Sequence, residues 1–248
     1  MKKTVVELDL KGYSDIAREL EEHLSAEMVG KFNDQIQSFV DVGLKAVNAH
    51  RAEVVCATTG DGAIVVFDNA DQGHAFSQAV HEATRKHNAE KTVSAAQRWF
   101  RIGIATGDLD IQTVGATKKI AGSVIARAVR LEGAANVGEV VADADTFSGL
   151  SEGPKLQYGA REWAAGKREE KFAAYRCVVV SPSASVAATK FVALSSATHP
   201  HENKALSLWR EKVVFYEEQL AITSSASQKF ELKCQIAEAK EKIQELGG

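Results

Sequence analysis

Cysteine and proline are scarce in this sequence of 248 residues, which contains three of each. Cys56, Cys177 and Cys234 are far apart, odd in number and without the short spacings of metal ligands. They therefore predict neither a disulfide framework nor a zinc site. Reduced thiols are typical of cytosolic proteins, so we expect a cytoplasmic protein in which no cysteine is catalytic.

Long hydrophobic runs are also lacking. A membrane-spanning helix would need about 18 consecutive apolar residues, and the N-terminus has no apolar core of a signal peptide. The formal net charge of -3, with a pI of about 6.2, lacks the positive excess of a nucleic-acid binder. We expect neither a membrane nor a nucleic acid as partner, and any phosphate ligand should be small and bound locally.

Stretches with the pattern of strands and stretches with helical periodicity follow one another along residues 1–180. Strands are predicted at residues 4–8, 51–59, 62–67, 98–105, 137–142, 155–163 and 171–180. Helices are predicted at residues 15–22, 26–49, 69–89 and 122–131, and residues 106–108 form a turn followed by a polar loop. This order favours an α+β fold over strictly alternating βαβ units.

The helix predicted at residues 69–89 contains three histidines, His74, His81 and His87. Their spacing aligns them roughly on one side, but no acid or cysteine completes a set of metal ligands. We expect them to be solvated.

Composition changes after residue 180, where the chain becomes rich in Ser, Ala, Thr and Val and contains Pro182 and Pro200. Beyond it, apolar residues recur at heptad spacing in two segments, and the sequence 225–228 between them has the pattern of a capping box. We predict a catalytic or binding domain at 1–180, a linker at 181–203, and a helical hairpin or coiled coil at 204–248.

Two aspartates lie at the ends of predicted strands. Asp9 follows an apolar strand, and Asp61 is the centre of a Gly-Asp-Gly turn between two strands. A Gly-Asp-Gly turn alone is more often only a turn than a site, because these residues suit tight turns. Together, two such carboxylates can share divalent cations.

Four ordered blocks of sequence carry a resemblance. Residues 6–14, 58–62, 101–107 and 122–131 resemble, in order and spacing, the catalytic domain of the class III nucleotide cyclases, over roughly residues 5–178. The resemblance implies a ferredoxin-like βαββαβ core with helices packed on an antiparallel-rich sheet, followed here by the C-terminal helical hairpin. It also implies a homodimer in which each active site takes residues from both protomers.

The family resemblance assigns roles to individual residues. Asp9, Asp61 and the carbonyl of Leu10 correspond to ligands of two divalent cations, Mn²⁺ or Mg²⁺. The backbone amides of Lys11, Gly12 and Tyr13 correspond to donors to the β- and γ-phosphates of a nucleoside triphosphate. Arg130 corresponds to the arginine that stabilises charge on the α-phosphate, and Lys167 to a lysine that meets the triphosphate. Without the resemblance, both would pass for ordinary surface residues.

The pattern departs from the family at three positions. Ala57 and Lys119 stand where purine-using members have residues that recognise the base, and Ala126 replaces the family asparagine four residues before Arg130. Neither member of an adenine or guanine recognition pair is present, so strong discrimination of those bases is not expected. Ser123 or Arg127 could replace the asparagine.

Two explanations fit these departures. In the first, the chain resembles the bacterial anti-phage pyrimidine cyclases, which convert UTP or CTP to the cyclic monophosphate that activates a downstream effector; UTP is favoured. In the second, the domain is a degenerate cyclase that binds a nucleotide or partner without turnover, which the retention of Asp9 and Asp61 argues against. An adenylate cyclase of ordinary cyclic AMP signalling with unusual base recognition is the alternative enzyme.

Overall fold

The computed structural model describes residues 1–91, 96–114, 117–165 and 171–181, together with scattered positions between 213 and 244. The chain separates into two compact units, Met1–Ala188 and Thr189–Gly248. The first unit contains the sheet and every element that carries an expected site residue within the described ranges.

The first unit is an α+β domain. Its strands are β1 (Lys2–Leu10), β2 (Val55–Thr59), β3 (Gly62–Phe67), β4 (Phe100–Asp108), β5 (Asp110–Val114), β6 (Thr117–Ala121), β7 (Glu139–Asp143), β8 (Glu162–Ala165) and β9 (Lys171–Val178). Its helices are α1 (Tyr13–His23), α2 (Ala26–Ala46), α3 (Arg51–Val54), α4 (Ala70–Ala89), α5 (Ser123–Ala134), α6 (Ala144–Gly149) and α7 (Glu152–Lys155).

Seven strands form one sheet in the order β2-β3-β1-β4-β7-β9-β8, and β5 pairs with β6 in a separate hairpin. All neighbours in the large sheet are antiparallel except β4 and β7. This agrees with the antiparallel-rich sheet expected above. Strand β1 lies near the middle, paired with β3 on one side and β4 on the other.

Helices cover both faces of the sheet. A Cβ atom on Gly73 of α4 would meet the side chains of Thr4, Val6 and Ile104, so α4 packs on that face. Because strand side chains alternate between faces, Val5 and Ala105 point the other way. There they join a buried cluster with residues of α5.

Helix α5 approaches strand β4 very closely at Gly103. A Cβ atom at Gly103 would lie 2.2 Å from both the carbonyl oxygen of Ala128 and the amide nitrogen of Glu132. No side chain fits between a strand and a helix backbone at that separation, so glycine at this position fixes the depth of α5 on the sheet.

Gly103→Ala should therefore destabilise the protein by at least about 2 kcal/mol, because α5 must move away from a well-packed core. Gly133→Ala is the matched control. Gly133 lies on the same helix, a Cβ atom there would meet nothing within 4 Å, and the alanine should be neutral or stabilising by up to about 1 kcal/mol. Urea unfolding of both variants measures the difference; equal stabilities would contradict the close-approach argument.

Several predicted boundaries were wrong. Strand β4 continues through residues 106–108 where a turn was predicted, because it pairs with β1 as far as Lys2 opposite Asp108. The predicted polar loop after it contains the β5–β6 hairpin. Helix α2 ends at Ala46 rather than 49, and Asn48 just beyond adopts a left-handed φ of 53°.

Two segments that were predicted to be strands begin with helical residues. Residues 51–54 form the helical turn α3 before β2. The predicted strand at 155–163 is the end of α7, a turn, and only the first two residues of β8. The apolar residues that suggested it have different environments, because Tyr158 is buried against the rings of His74 and Phe147 whereas Leu156 is exposed.

The expectation of solvated histidines was also wrong. His74 and His81 are buried, and His87 is largely covered. His74 Nδ1 lies 3.1 Å from the hydroxyl of Tyr158, and His81 Nε2 lies 3.2 Å from the carbonyl oxygen of Glu139. Burial lowers the pKa of His81 to about 4, so it is a neutral core residue of α4.

The second unit is helical at each of its described positions. Val213, Leu232, Ile236 and Ala239 are buried, and the last three follow the predicted heptad spacing. The linker, the capping box and most of the two heptad segments lie outside the described residues. The helical hairpin and the domain limits at 180 and 203 therefore remain predictions. None of the described helices is long and apolar enough to cross a membrane.

Candidate active site

The two aspartates singled out in the sequence meet at one end of the sheet. Asp9 lies opposite Gly62 of β3 and Arg101 of β4 in the strand register. Asp61 immediately precedes β3, and its carbonyl oxygen accepts a hydrogen bond of 2.8 Å from the amide of Leu10. The β2–β3 turn is thus fastened to the end of β1, next to Asp9.

Glycine is required at Gly62 by a close approach of two strands. A Cβ atom there would lie 1.8 Å from the carbonyl oxygen of Leu8. Gly62 is not in the left-handed conformation that often requires glycine in a tight turn, since the left-handed glycines of the described chain are Gly12 and Gly138. A side chain at Gly62 would separate β3 from β1 and move Asp61 with it.

A guanidinium group lies against Asp9. Arg101 Nη2 donates to Asp9 Oδ2 at 2.5 Å, and Arg101 Nε lies 2.8 Å from Glu132 Oε1 on α5. Arg101 joins three elements, β1, β4 and α5. It also holds one oxygen of Asp9.

Burial, with repulsion between neighbouring carboxylates, raises the pKa values of three carboxyl groups here, those of Glu7, Asp9 and Glu132. Burial, with the nearby charges of Glu132, Asp9 and Asp61, raises the pKa of Glu7 to about 8. Burial also raises the pKa of Glu132 to about 7, with Arg101 opposing and the aspartates adding to the rise. The pKa of Asp9 is raised by burial against the opposing effect of Arg101, and Asp61 raises it further.

Folding stability should depend on the protonation of Glu7. With a pKa near 8 in the folded state and about 4.5 when unfolded, the folded state holds a proton that the unfolded chain loses between these pH values. The free energy of unfolding therefore falls as pH rises through this window, at up to about 1.4 kcal/mol per pH unit. Glu7→Gln keeps the shape and removes the titration.

Urea unfolding at pH 5, 6.5 and 8 in a chelating buffer tests this expectation. Glu7→Gln should lose less stability than the wild type between pH 5 and 8. Glu21→Gln, on the exposed surface of α1, is the control and should follow the wild type. A wild-type pH slope retained in Glu7→Gln would show that Glu7 is ionised in the folded protein.

The cluster suits a divalent cation. The acidic cluster consists of four carboxyl groups that lie close enough to interact electrostatically, those of Glu7, Asp9, Asp61 and Glu132. Arg101 supplies a positive charge beside Asp9 and Glu132. One buried oxygen, Glu7 Oε2, has no hydrogen-bond partner within the described part of the chain. A cation would offset the mutual repulsion that adds to the effect of burial on the pKa values of Glu7, Asp9 and Glu132.

The number of protein ligands limits the kind of cation site. Among the described residues, no group of three or more His, Cys, Asp and Glu side chains has the arrangement of a metal cage. Mg²⁺ often binds through one or two carboxylates, with phosphate oxygens and water completing its shell. Asp9 and Asp61, with the Leu10 carbonyl, match that kind of site and not a closed structural one.

The segment after Asp9 turns the chain into α1. Gly12 has a left-handed φ of 79° and is the N-cap of the helix, a conformation that other residues adopt at a cost. The amide of Lys11 donates to the carbonyl oxygen of Trp99 at 2.9 Å, which removes it from the expected phosphate-binding set. The amides of Gly12 and Tyr13, at the N-terminus of α1, remain candidate donors.

The remaining site residues lie elsewhere on the first unit. Arg130 and Ala126 are on the exposed side of α5, Ala57 is exposed on β2, and Lys119 is exposed on β6. Strands β2 and β6 contact each other, so the elements carrying Ala57 and Lys119 are neighbours. Lys167 lies outside the described residues.

Helix α5 separates Arg130 from the acidic cluster of its own chain. Glu132 faces the cluster through Arg101, and a residue two positions earlier is rotated by about 200° around a helix. Arg130 accordingly lies on the side of α5 away from the sheet. The structure brings together Asp9, Leu10, Asp61 and the Gly12 loop, but not Arg130 or Ala126 with them.

Sequence reasoning missed three members of the cluster, Glu7, Arg101 and Glu132. A signal existed for Glu7, since an acid two positions before Asp9 in an apolar strand must share its face. Arg101 was part of a recognised block without an assigned role. Its contact with Asp9 joins residues 92 positions apart, which only the pairing of β1 with β4 reveals.

Comparison with solved structures identifies the fold. The adenylyl cyclase CyaB of P. aeruginosa is 21% identical over 73% of this chain and 95% of that chain, with a TM-score of 0.55. The guanylate cyclase domain of RhGC from Catenaria anguillulae, in complex with GTP, is 17% identical over 71% and 95%, with a TM-score of 0.55. Adenylate cyclases from Trypanosoma brucei, in their monomeric state, are 14% identical over 72% and 90%, with a TM-score of 0.54.

The sequence matches no protein-family model and no curated protein. At identities of 14% to 21%, the structural matches show the fold, which is that of the class III cyclase catalytic domain. They confirm the fold class expected from the four sequence blocks.

Proposed function

We propose that this protein is a metal-dependent nucleotide cyclase that converts a pyrimidine nucleoside triphosphate, UTP in preference to CTP, to the 3′,5′-cyclic monophosphate and pyrophosphate. The observation that carries the proposal is the meeting of Asp9 and Asp61 at the end of β1 within a class III cyclase fold. Its role would be to make a second messenger for an effector in anti-phage defence.

The reaction forms a bond between the ribose 3′ oxygen and the α-phosphorus and releases pyrophosphate. Asp9 and Asp61, with the Leu10 carbonyl, would hold two cations, Mn²⁺ or Mg²⁺, which supply activation of the 3′ hydroxyl and neutralisation of phosphate charge when bound. The amides of Gly12 and Tyr13 would bind the terminal phosphates. Arg101, by holding one oxygen of Asp9, would keep the other directed to the ligand.

A homodimer would complete each site. Arg130 lies on the outer side of α5, away from the acidic cluster of its own chain. A second copy presenting that side of α5 to the cluster would supply the positive charge for the α-phosphate. Lys167 is proposed to meet the triphosphate. Dimeric and monomeric structures both occur among the similar proteins, so the assembly needs its own test.

The base preference rests on Ala57 and Lys119. Neither offers the donor and acceptor pair that would recognise adenine or guanine, and both are exposed on neighbouring strands. One similar solved structure is a rhodopsin-guanylyl cyclase with converted specificity bound to ATPαS, and another binds GTP. That comparison supports the view that this fold accommodates different bases.

An adenylate cyclase is the second candidate, because adenylate cyclases are among the similar structures. A domain that binds nucleotide without turnover is the third. The closeness of Asp9 and Asp61, with the carboxyl group of Glu7 nearby, favours a cation-binding centre over an inert one. Metal-dependent pyrophosphate release separates an enzyme from a binding module, and the base of the product separates the two enzymes.

Purified protein incubated with ATP, GTP, CTP and UTP in Mn²⁺ or Mg²⁺ should yield cyclic UMP or cyclic CMP by mass spectrometry. Asp61→Ala should abolish product while leaving the fold and oligomeric state unchanged, because it removes a half-exposed ligand and no core contact. Cyclic AMP alone would favour the adenylate cyclase, and no product would favour the binding module. Full turnover in Asp61→Ala would refute the two-metal assignment.

Mixing two inactive variants tests whether a site is shared. Arg130→Ala should lose at least about 100-fold in rate, as is typical of removing one electrostatic stabiliser. Mixed with Asp61→Ala, it should recover partial activity, because one of the two sites in a mixed dimer keeps both residues. Each variant mixed with itself is the control. An equally inactive mixture, with mixed dimers verified by mass, would contradict the shared site.

A further inference from the structure

Helix α2 carries two polar side chains to the turn that holds Asp61. Gln37 Nε2 donates to the carbonyl oxygen of Gly62 at 3.2 Å, on the side of the turn that follows Asp61. On the preceding side, a Cβ atom at Gly60 would lie 2.2 Å from the hydroxyl oxygen of Tyr13 and 3.3 Å from Asn33 Oδ1. One flank of Asp61 is therefore in contact with Gln37 of α2, and the other with Tyr13 of α1, whose hydroxyl is hydrogen-bonded to Asn33 of α2.

Gln37 is itself held in one orientation. Arg51 Nη1 donates to Gln37 Oε1 at 2.9 Å, and Arg51 Nη2 donates to the carbonyl oxygen of Gln37 at 3.0 Å. Arg51 in turn pairs with Asp41 at 2.7 Å. An arginine only donates, so it fixes the amide oxygen toward itself and directs the amide nitrogen of Gln37 to Gly62.

Spacing on α2 makes this arrangement rigid. Asn33, Gln37 and Asp41 are four residues apart and share one face of the helix. The hydroxyl of Tyr13 donates to Asn33 Oδ1 at 2.9 Å, and its ring stacks on Phe32 with centroids 5.5 Å apart. The same helix surface thus braces the turn on both sides while packing into the core through its other residues.

We infer that Gln37 is a positioning residue for Asp61, which sets the separation of the Asp61 and Asp9 carboxylates and thereby the affinity of the site for a divalent cation. This inference rests on the proposed function, because it takes Asp61 as a cation ligand. Gln37 touches neither the cation nor the substrate. It acts through the backbone of Gly62, one residue from Asp61.

Mn²⁺ binding to the full chain tests the role, measured by the electron paramagnetic resonance signal of free Mn²⁺ without nucleotide. Gln37→Glu keeps the size and the contact with Arg51 but replaces the donor to Gly62 with an acceptor. The added negative charge would by itself tighten Mn²⁺ binding. Weaker binding by this variant would therefore show that the Asp61 carboxylate has moved. Gln37→Met removes the donor without adding charge.

Both variants should weaken Mn²⁺ binding about 10-fold, a size typical of residues that orient metal ligands. Turnover should need more Mn²⁺ for half-maximal rate and should recover at saturating Mn²⁺. Gln35→Glu is the matched control, since it adds the same charge on α2 and keeps its acceptor for Arg98, 2.9 Å away. Melting temperatures of Gln37→Glu and Gln35→Glu should agree within a few degrees.

The outcomes distinguish failure of the cation site at Asp61 from failure of the positioning role of Gln37. If Asp61→Ala binds Mn²⁺ as tightly as the wild type, the cation assignment fails and the role of Gln37 falls with it. If Asp61→Ala loses Mn²⁺ while Gln37→Glu and Gln37→Met bind it like the wild type, only the positioning role is refuted. Weaker binding in both Gln37 variants, with unchanged binding in Gln35→Glu, supports it.

Discussion

Strand β1 is hydrogen-bonded on both edges, to β3 and to β4, and its register decides what surrounds Asp9. Gly62 lies opposite on one side and Arg101 on the other. Because side chains alternate along a strand, the same register places Glu7 below Asp9 on the face covered by α5. A shift of one residue would turn both acids to the opposite face and separate them from Arg101.

Two glycines make this register compatible with dense packing. Gly62 lets β3 approach the backbone of Leu8, and Gly103 lets α5 rest on the backbone of β4. The depth of α5 brings Glu132 to Arg101, and Arg101 reaches Asp9. The charge cluster is thus a consequence of backbone contacts that no larger residue would allow, and its raised pKa values follow from burial at this depth.

The divided arrangement of the proposed site has a physical logic. The proposed cation ligands and phosphate-binding amides lie at the end of β1, whereas Arg130 lies on the outer side of α5. A cationic side chain facing its own acidic cluster would pair with it and compete with a metal ion, as Arg101 already does at one oxygen of Asp9. If Arg130 came from a partner protomer instead, catalytic activity would depend on formation of the dimer.

Local patterns predicted much of this molecule. Apolar periodicity indicated helices close to α2, α4 and α5, and strands close to β1, β3 and β9, since the periods of 3.6 and 2 reflect which side of an element is buried. Prediction failed where local chemistry was ambiguous. Residues 106–108 looked like a turn but extend β4 beside β1, and the polar loop after them pairs into β5 and β6.

Local sequence was enough to predict the α+β class and to single out the two aspartates at strand ends and the glycine before α1, because these features depend on neighbouring residues. Long-range packing is needed to see that Glu7, Arg101, Glu132 and Gln37 belong to the same region. Arg101 contacts Asp9 across 92 positions and Gln37 contacts Gly62 across 25. Contacts of that separation arise from strand pairing and helix packing, which no local period encodes.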